Sequence, residues 1–170
     1  ITWCVILYST VLILEVLPQR SRLSRLAAGP KPLEQVMVAN LDQVVAVMAA
    51  AQPDPKWNLL DRYLVSAESL GLQALIVIAK LDLLGDSRDL LAEVTNYRRL
   101  GYPVLLTSAA DGTGLEKLKS LLQGRISVLV GKSGVGKSSL LNALQPGLGL
   151  KVNAVSQATS KGRHTTTHLE

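Results

Sequence analysis

From residue 41 onward, apolar positions fall into two alternating patterns. Short, nearly uncharged runs rich in β-branched residues occupy 43–48, 74–78, 104–107 and 126–130, each about one strand long. Between them, at 57–70, 87–100 and 115–122, apolar residues recur at three- and four-residue spacing among charged ones, as on an amphipathic helix. A fourth such stretch, 137–144, follows the last run and is stopped by Pro146 and Gly147. Every crossover is long enough for a right-handed βαβ unit. The pattern predicts a doubly wound, mostly parallel α/β sheet.

The chain ahead of this domain reads differently. Residues 3–17 form an apolar stretch of about 15 positions, short of the roughly 20 that a spanning helix requires, and Ser9, Thr10 and Glu15 interrupt it. No basic leader precedes it, so no membrane association is expected. Its Val, Ile, Tyr and Thr content suits strands of a small β-module. Residues 17–32 are dense in Arg, Lys, Ser, Gly and Pro, with Arg20, Arg22, Arg25 and Lys31 close together, and read as a basic linker. The expected division is 1–30 for the partial β-module and linker, and 31–170 for the α/β domain.

Composition narrows the picture a little. At 170 residues and 48% hydrophobic, the chain holds one core and part of a neighbour. A net charge of +5 favours a polyanionic partner such as RNA. The single cysteine, Cys4, forms neither an internal disulfide nor a metal cluster, which suits a cytoplasmic location.

The strongest chemical signal is Gly131-Lys132-Ser133-Gly134-Val135-Gly136-Lys137-Ser138, a G-x-x-x-x-G-K-[ST] sequence placed between a predicted strand and a helix that opens at Ser139. Glycines let the backbone wrap closely, so successive N–H groups and the helix terminus converge on phosphates. Lys137 would neutralise the β and γ phosphates, and the Ser138 hydroxyl would ligate Mg²⁺. A Gly-rich turn arises in this form by chance on the order of 1% of the time in a chain of this length. The strand and helix on either side lower that further.

Two further segments bear on the base. After the predicted strand at 74–78 comes Ala79-Lys80-Leu81-Asp82, and after the next comes Thr107-Ser108-Ala109-Ala110. They resemble the N-K-x-D and S-A-x motifs of translation-type GTPases. In those motifs the Asp carboxylate accepts from guanine N1–H and the 2-amino group, the Lys stem covers base and ribose, and the Ser-Ala backbone meets O6. Here both segments precede Gly131, whereas an ordinary GTPase has its phosphate loop first. The rotated order is similar to that of the circularly permuted, ribosome small-subunit-dependent GTPases of the RsgA type. The similarity extends to Glu15-Val-Leu-Pro-Gln-Arg-Ser-Arg-Leu-Ser-Arg25, Gly29-Pro-Lys-Pro-Leu-Glu-Gln35, Ala39-Asn-Leu-Asp-Gln-Val44, Asp61-Arg-Tyr-Leu64 and Gly162-Arg-His-Thr-Thr-Thr-His168.

That resemblance implies an OB-fold in front, a permuted GTPase domain, and a zinc-binding helical domain behind. It implies GTP or GDP with Mg²⁺ as ligands, and a monomer that hydrolyses GTP on the small ribosomal subunit during late maturation, in contact with rRNA. Ser138 and a switch threonine, Thr166, would hold Mg²⁺, and His164 would place the attacking water. The opening Ile and the close on Glu170 suggest a piece of a longer protein, truncated before the D-x-x-G segment expected after the switch and before any zinc ligands. Ala79 stands where the motif has Asn, which weakens guanine binding by roughly 1 to 3 kcal/mol if one or two hydrogen bonds are lost. Such a chain is expected to hydrolyse GTP weakly or not at all. Two alternatives stand beside the GTPase reading: a nucleotide-binding, RNA-docking module without turnover, and an ATP-dependent P-loop enzyme.

Overall fold

The computed structural model describes residues 2–7, 10–16, 18–26, 34–85 and 88–152. Two antiparallel hairpins lead the chain. Strands β1 (Thr2–Leu7) and β2 (Thr10–Val16) form the first, and β3 (Arg22–Leu26) and β4 (Glu34–Ala39) form the second. The second corrects the linker reading. Arg22–Leu26 is a strand whose ladder with β4 spans the expected boundary at residue 30, because the pairing supplies backbone partners that the charged, loop-like composition did not reveal.

The remaining elements follow the predicted pattern closely. They are β5 (Gln43–Ala49), α1 (Trp57–Ser69), β6 (Gln73–Ala79), a short 3-10 turn at Leu81–Leu83, α2 (Arg88–Arg99), β7 (Val104–Leu106), α3 (Leu115–Leu122), β8 (Ser127–Val130) and α4 (Lys137–Leu144). The sheet order is β7-β6-β5-β8 and every pairing is parallel. All of β5 is buried, as a strand paired on both edges and covered on both faces must be.

The two-residue period of β5 and β6 divides the core. Ala46, Met48, Ile76 and Ile78 face α1 and α2, packing with Leu60, Leu64, Leu90, Val94 and Tyr97. Val45, Val47, Ala49, Leu75 and Val77 face the other way, onto Leu118 of α3 and Leu140 of α4. Helices therefore cover both faces, and the carboxyl ends of β5, β6, β7 and β8 open toward one rim.

At the opposite rim, Asn40 joins the leading segment to the sheet. Its backbone is left-handed (φ 56°), and its buried side chain accepts from the Arg20 N–H at 2.7 Å and donates to the Pro18 carbonyl at 3.1 Å. Two residues on, the Asp42 carboxylate accepts from the Ile126 N–H at 2.7 Å, just before β8.

Candidate nucleotide site

The loop from Gly131 to Gly136 leaves β8 and turns directly into α4. A methyl group on Gly131 would lie 2.4 Å from the Val47 carbonyl oxygen, so no side chain fits where the loop crosses the central strand. Val135, buried, anchors the loop in the core beside Leu140. Gly136 caps α4 in a left-handed conformation (φ 104°), which turns the chain so that the first N–H groups of the helix point out of the loop.

Lys137 is more than half buried and curls back over this loop. Its Nζ donates to the carbonyls of Gly131 at 2.8 Å and Lys132 at 3.0 Å. Burial holds its pKa below the ordinary lysine value of 10.5. A buried ammonium held by neutral carbonyls, beside backbone N–H groups, is arranged to receive an anion. Ser138 follows it in the first turn of α4 and offers a hard oxygen of the kind Mg²⁺ takes. No group of three or more His, Cys, Asp or Glu among the described residues could hold a metal ion by itself.

The base-recognition segments lie where the sheet rules place ligands, at carboxyl strand ends. Lys80 leaves β6 in a left-handed conformation (φ 59°), which turns Asp82 back toward β7. Ser108, fully buried, donates from Oγ to Asp82 Oδ1 at 2.6 Å and accepts from the N–H groups of Ala110 at 3.2 Å and Asp111 at 3.4 Å. The loops are also tied through the backbone, since the Leu81 N–H donates to the Thr107 carbonyl at 3.1 Å.

The phosphate and base loops adjoin. A methyl placed on Gly136 would lie 3.7 Å from Ala79 Cβ and 3.8 Å from Cγ and Cε of Lys80. Lys80 thus lies along the loop, and its Nζ donates to the Gln52 carbonyl in the turn after β5. Burial lowers the Lys80 pKa, while the Asp82 carboxylate opposes that shift. Lys80, Asp82, Ala109, Gly136 and Ser139 line one cavity of about 300 Å³, with Ala79, Leu83, Ala110 and Leu140. That volume is large enough for a heteroaromatic base.

Most of the predicted site is therefore brought together. Lys80, Asp82, Ala109 and Ser139 line the cavity; Ser108 orients Asp82; Gly131, Lys132, Ser133, Gly134, Val135, Gly136, Lys137 and Ser138 form the loop and the helix start. His164 and Thr166 lie outside the described residues. The sequence reading missed Gln52, whose carbonyl leaves no trace in residue identity. It also missed Leu83 and Leu140, although Leu83 neighbours a motif residue and Leu140 lies on the apolar face of α4.

This arrangement defines a class: a circularly permuted P-loop fold in which the base-reading loops precede the phosphate loop in sequence and meet it in space. Residues 16–170 match the RsgA GTPase family, and the chain belongs to that family. It is 51% identical over 154 residues to the small ribosomal subunit biogenesis GTPase RsgA of Gemmatimonas aurantiaca, covering 91% of this chain and 50% of that protein. It is 50% identical over 135 residues to the protein of the same name from Geobacillus kaustophilus, covering 78% and 46% respectively. Among solved structures, YjeQ from Thermotoga maritima superposes with a TM-score of 0.65 at 38% identity, over 89% of this chain and 49% of that one. YloQ, described as a circularly permuted GTPase, gives 0.64 at 34% identity, over 95% and 53%. The chain spans about half the length of these relatives.

Proposed function

We propose that this protein binds GTP with Mg²⁺ and hydrolyses it to GDP and phosphate in support of small ribosomal subunit maturation. The observation carrying this reading is the pocket lined together by Lys80, Asp82 and Gly136, in which Lys80 lies against Gly136 of the phosphate loop. Asp82 has one oxygen engaged by Ser108, and its other oxygen takes no donor from the described residues. Guanine offers two donors to such an acceptor, and adenine offers a different edge. Lys137 and the loop N–H groups would bind the β and γ phosphates, and Ser138 with Thr166 would hold Mg²⁺, which supplies charge neutralisation at the phosphates. His164 would orient the water whose oxygen attacks the γ-phosphorus as the bond to the bridging oxygen breaks. The small ribosomal subunit is part of the relatives' names, and it is the partner we assign here, through rRNA. We take the leading hairpins as closing strands of an OB-fold ahead of the GTPase domain, with zinc held in a further domain of the family, and the protein as a cytoplasmic monomer. No helix among the described residues is long and apolar enough to cross a membrane.

Ala79 supports a second reading, a nucleotide-binding module that docks on RNA without turnover. An alanine beneath Gly136 has no polar atom with which to tie the base loop to the phosphate loop. Titration with GTP, GDP and ATP in the presence of Mg²⁺ tests base selection, and equal affinity for ATP would remove the guanine assignment in favour of an ATP-dependent enzyme. Single-turnover hydrolysis with and without small ribosomal subunits then separates the enzyme from the binder. Stimulation by the subunit is expected, and GTP binding with no turnover in either condition would leave the module.

A further inference from the structure

At the rim opposite the nucleotide, two pockets of about 390 and 430 Å³ share Leu75, Gly101, Tyr102, Pro103 and Leu121, forming one groove across the amino-terminal ends of β6 and β7. Arg125 lines one part, and Arg98 and Lys117 line the other. The Arg125 guanidinium is fixed in an unusual way. Its Nη1 donates to Gln43 Oε1 and to Gln73 Oε1, each at 3.1 Å. Gln43 is itself buried, and its Nε2 donates to the Leu121 carbonyl at 3.0 Å and to Ser127 Oγ at 2.8 Å, so that its oxygen can only face the arginine.

Two amide oxygens orient the guanidinium without neutralising it. The full positive charge and the remaining N–H donors are left at the groove, where a planar fork suits phosphate oxygens. The Arg98 guanidinium donates to the Val104 carbonyl at 3.1 Å, a partner that likewise carries no charge. Among the described residues Glu68 is the one acidic side chain lining the groove, and it accepts a hydrogen bond from the Tyr102 hydroxyl. Three cations thus stand over a floor of leucine, proline and tyrosine. Charge of one sign beside an aromatic, apolar surface fits a polyphosphate backbone whose bases can lie on that floor.

We propose that this groove binds the sugar–phosphate backbone of single-stranded RNA, with Arg125 as a pre-oriented phosphate contact and Arg98 and Lys117 as flanking ones. The proposal rests on the small-subunit reading above for its biological partner, and it locates that contact on the rim away from GTP.

The test uses the full 170-residue chain, a fluorescein-labelled twelve-nucleotide oligouridylate, and fluorescence anisotropy across a salt series. In the R98Q/K117Q/R125Q variant, affinity at low salt should fall at least tenfold. The slope of log affinity against log salt should shrink by about 2, three lost contacts at ~0.7 each for a single strand. The K117E variant, altered only at an exposed helix position, should weaken binding in the same direction. Unchanged affinity and slope in both variants would overturn the groove assignment. GDP binding, measured in parallel, should be the same in all three proteins because the pocket lies at the other rim. Absence of subunit-stimulated hydrolysis in the unmodified protein would select the nucleotide-binding module over the enzyme and leave the groove standing, whereas unaltered RNA affinity in the variants would remove the groove alone.

Discussion

Ser108 has a single hydroxyl proton, and it goes to Asp82 while two backbone N–H groups occupy its oxygen. Asp82 is thereby held as an acceptor whose other oxygen takes no donor from the described residues. Against this ordered pair, Ala79 leaves a gap in polarity. Replacing it, Ala79→Asn, should tighten GDP binding by about 1 to 3 kcal/mol, the range for one or two restored hydrogen bonds in a dry site, as measured by calorimetric titration. Lys137 gives a pH prediction. Its pKa is lowered in the free protein, and bound phosphates would raise it, so binding takes up a proton in the interval between the two values. Affinity should fall as pH rises through the lowered value toward 10.5, by up to about tenfold per pH unit. Inorganic tripolyphosphate, which has no base to titrate, is the ligand for that measurement. Residue identity announced both lysines and Asp82, because their chemistry is carried in the side chain. It could not announce the Gln52 carbonyl that holds Lys80, or the pairing of Gln43 with Arg125 across 82 positions, since neither has a spacing that the string repeats.

Elements were legible where one period dominates. Helices α3 and α4 begin and end at the predicted residues, and the four parallel strands differ by a residue or so at their ends. The β3/β4 hairpin was not legible: Arg22–Leu26 mixes arginine, serine and leucine and is followed by Gly and Pro, and its partner lies beyond them. Pairing between distant segments outweighs the local composition there. Where elements meet, substitutions have calculable effects. Gly131→Ala would drive a methyl into the Val47 carbonyl, a backbone group that cannot turn aside, and should cost about 2 kcal/mol or more, read as a lower midpoint in urea. Helices α1 and α2 are joined by the Tyr97 hydroxyl donating to Asp61 at 2.7 Å. Burial, and then Asp61, hold the proton on that hydroxyl well above its usual range. Tyr97→Phe should remove about 1 kcal/mol and lower Tm by ~3 °C, with GDP affinity unaltered.

For the molecule as a whole, binding does not depend on where the chain is opened, because a parallel sheet assembles its ligand site from strand ends that are neighbours only in space. β5 is the common wall, with Val45 and Val47 under the phosphate loop and α4, and Ala46 and Met48 under α1. A strand shared in this way joins the two half-cores mechanically. Stiffening supplied by a nucleotide on one side should therefore be felt on the other. Amide hydrogen exchange in α1, a helix that lines no part of the pocket, should slow when GDP is added, and by a similar factor to exchange in α4. Slowing confined to α4 would mean that the two layers open independently. Protection that travels through a shared strand would make this small sheet a single cooperative unit, so that a protease cutting in α1 would report, from across the sheet, whether the nucleotide is in place.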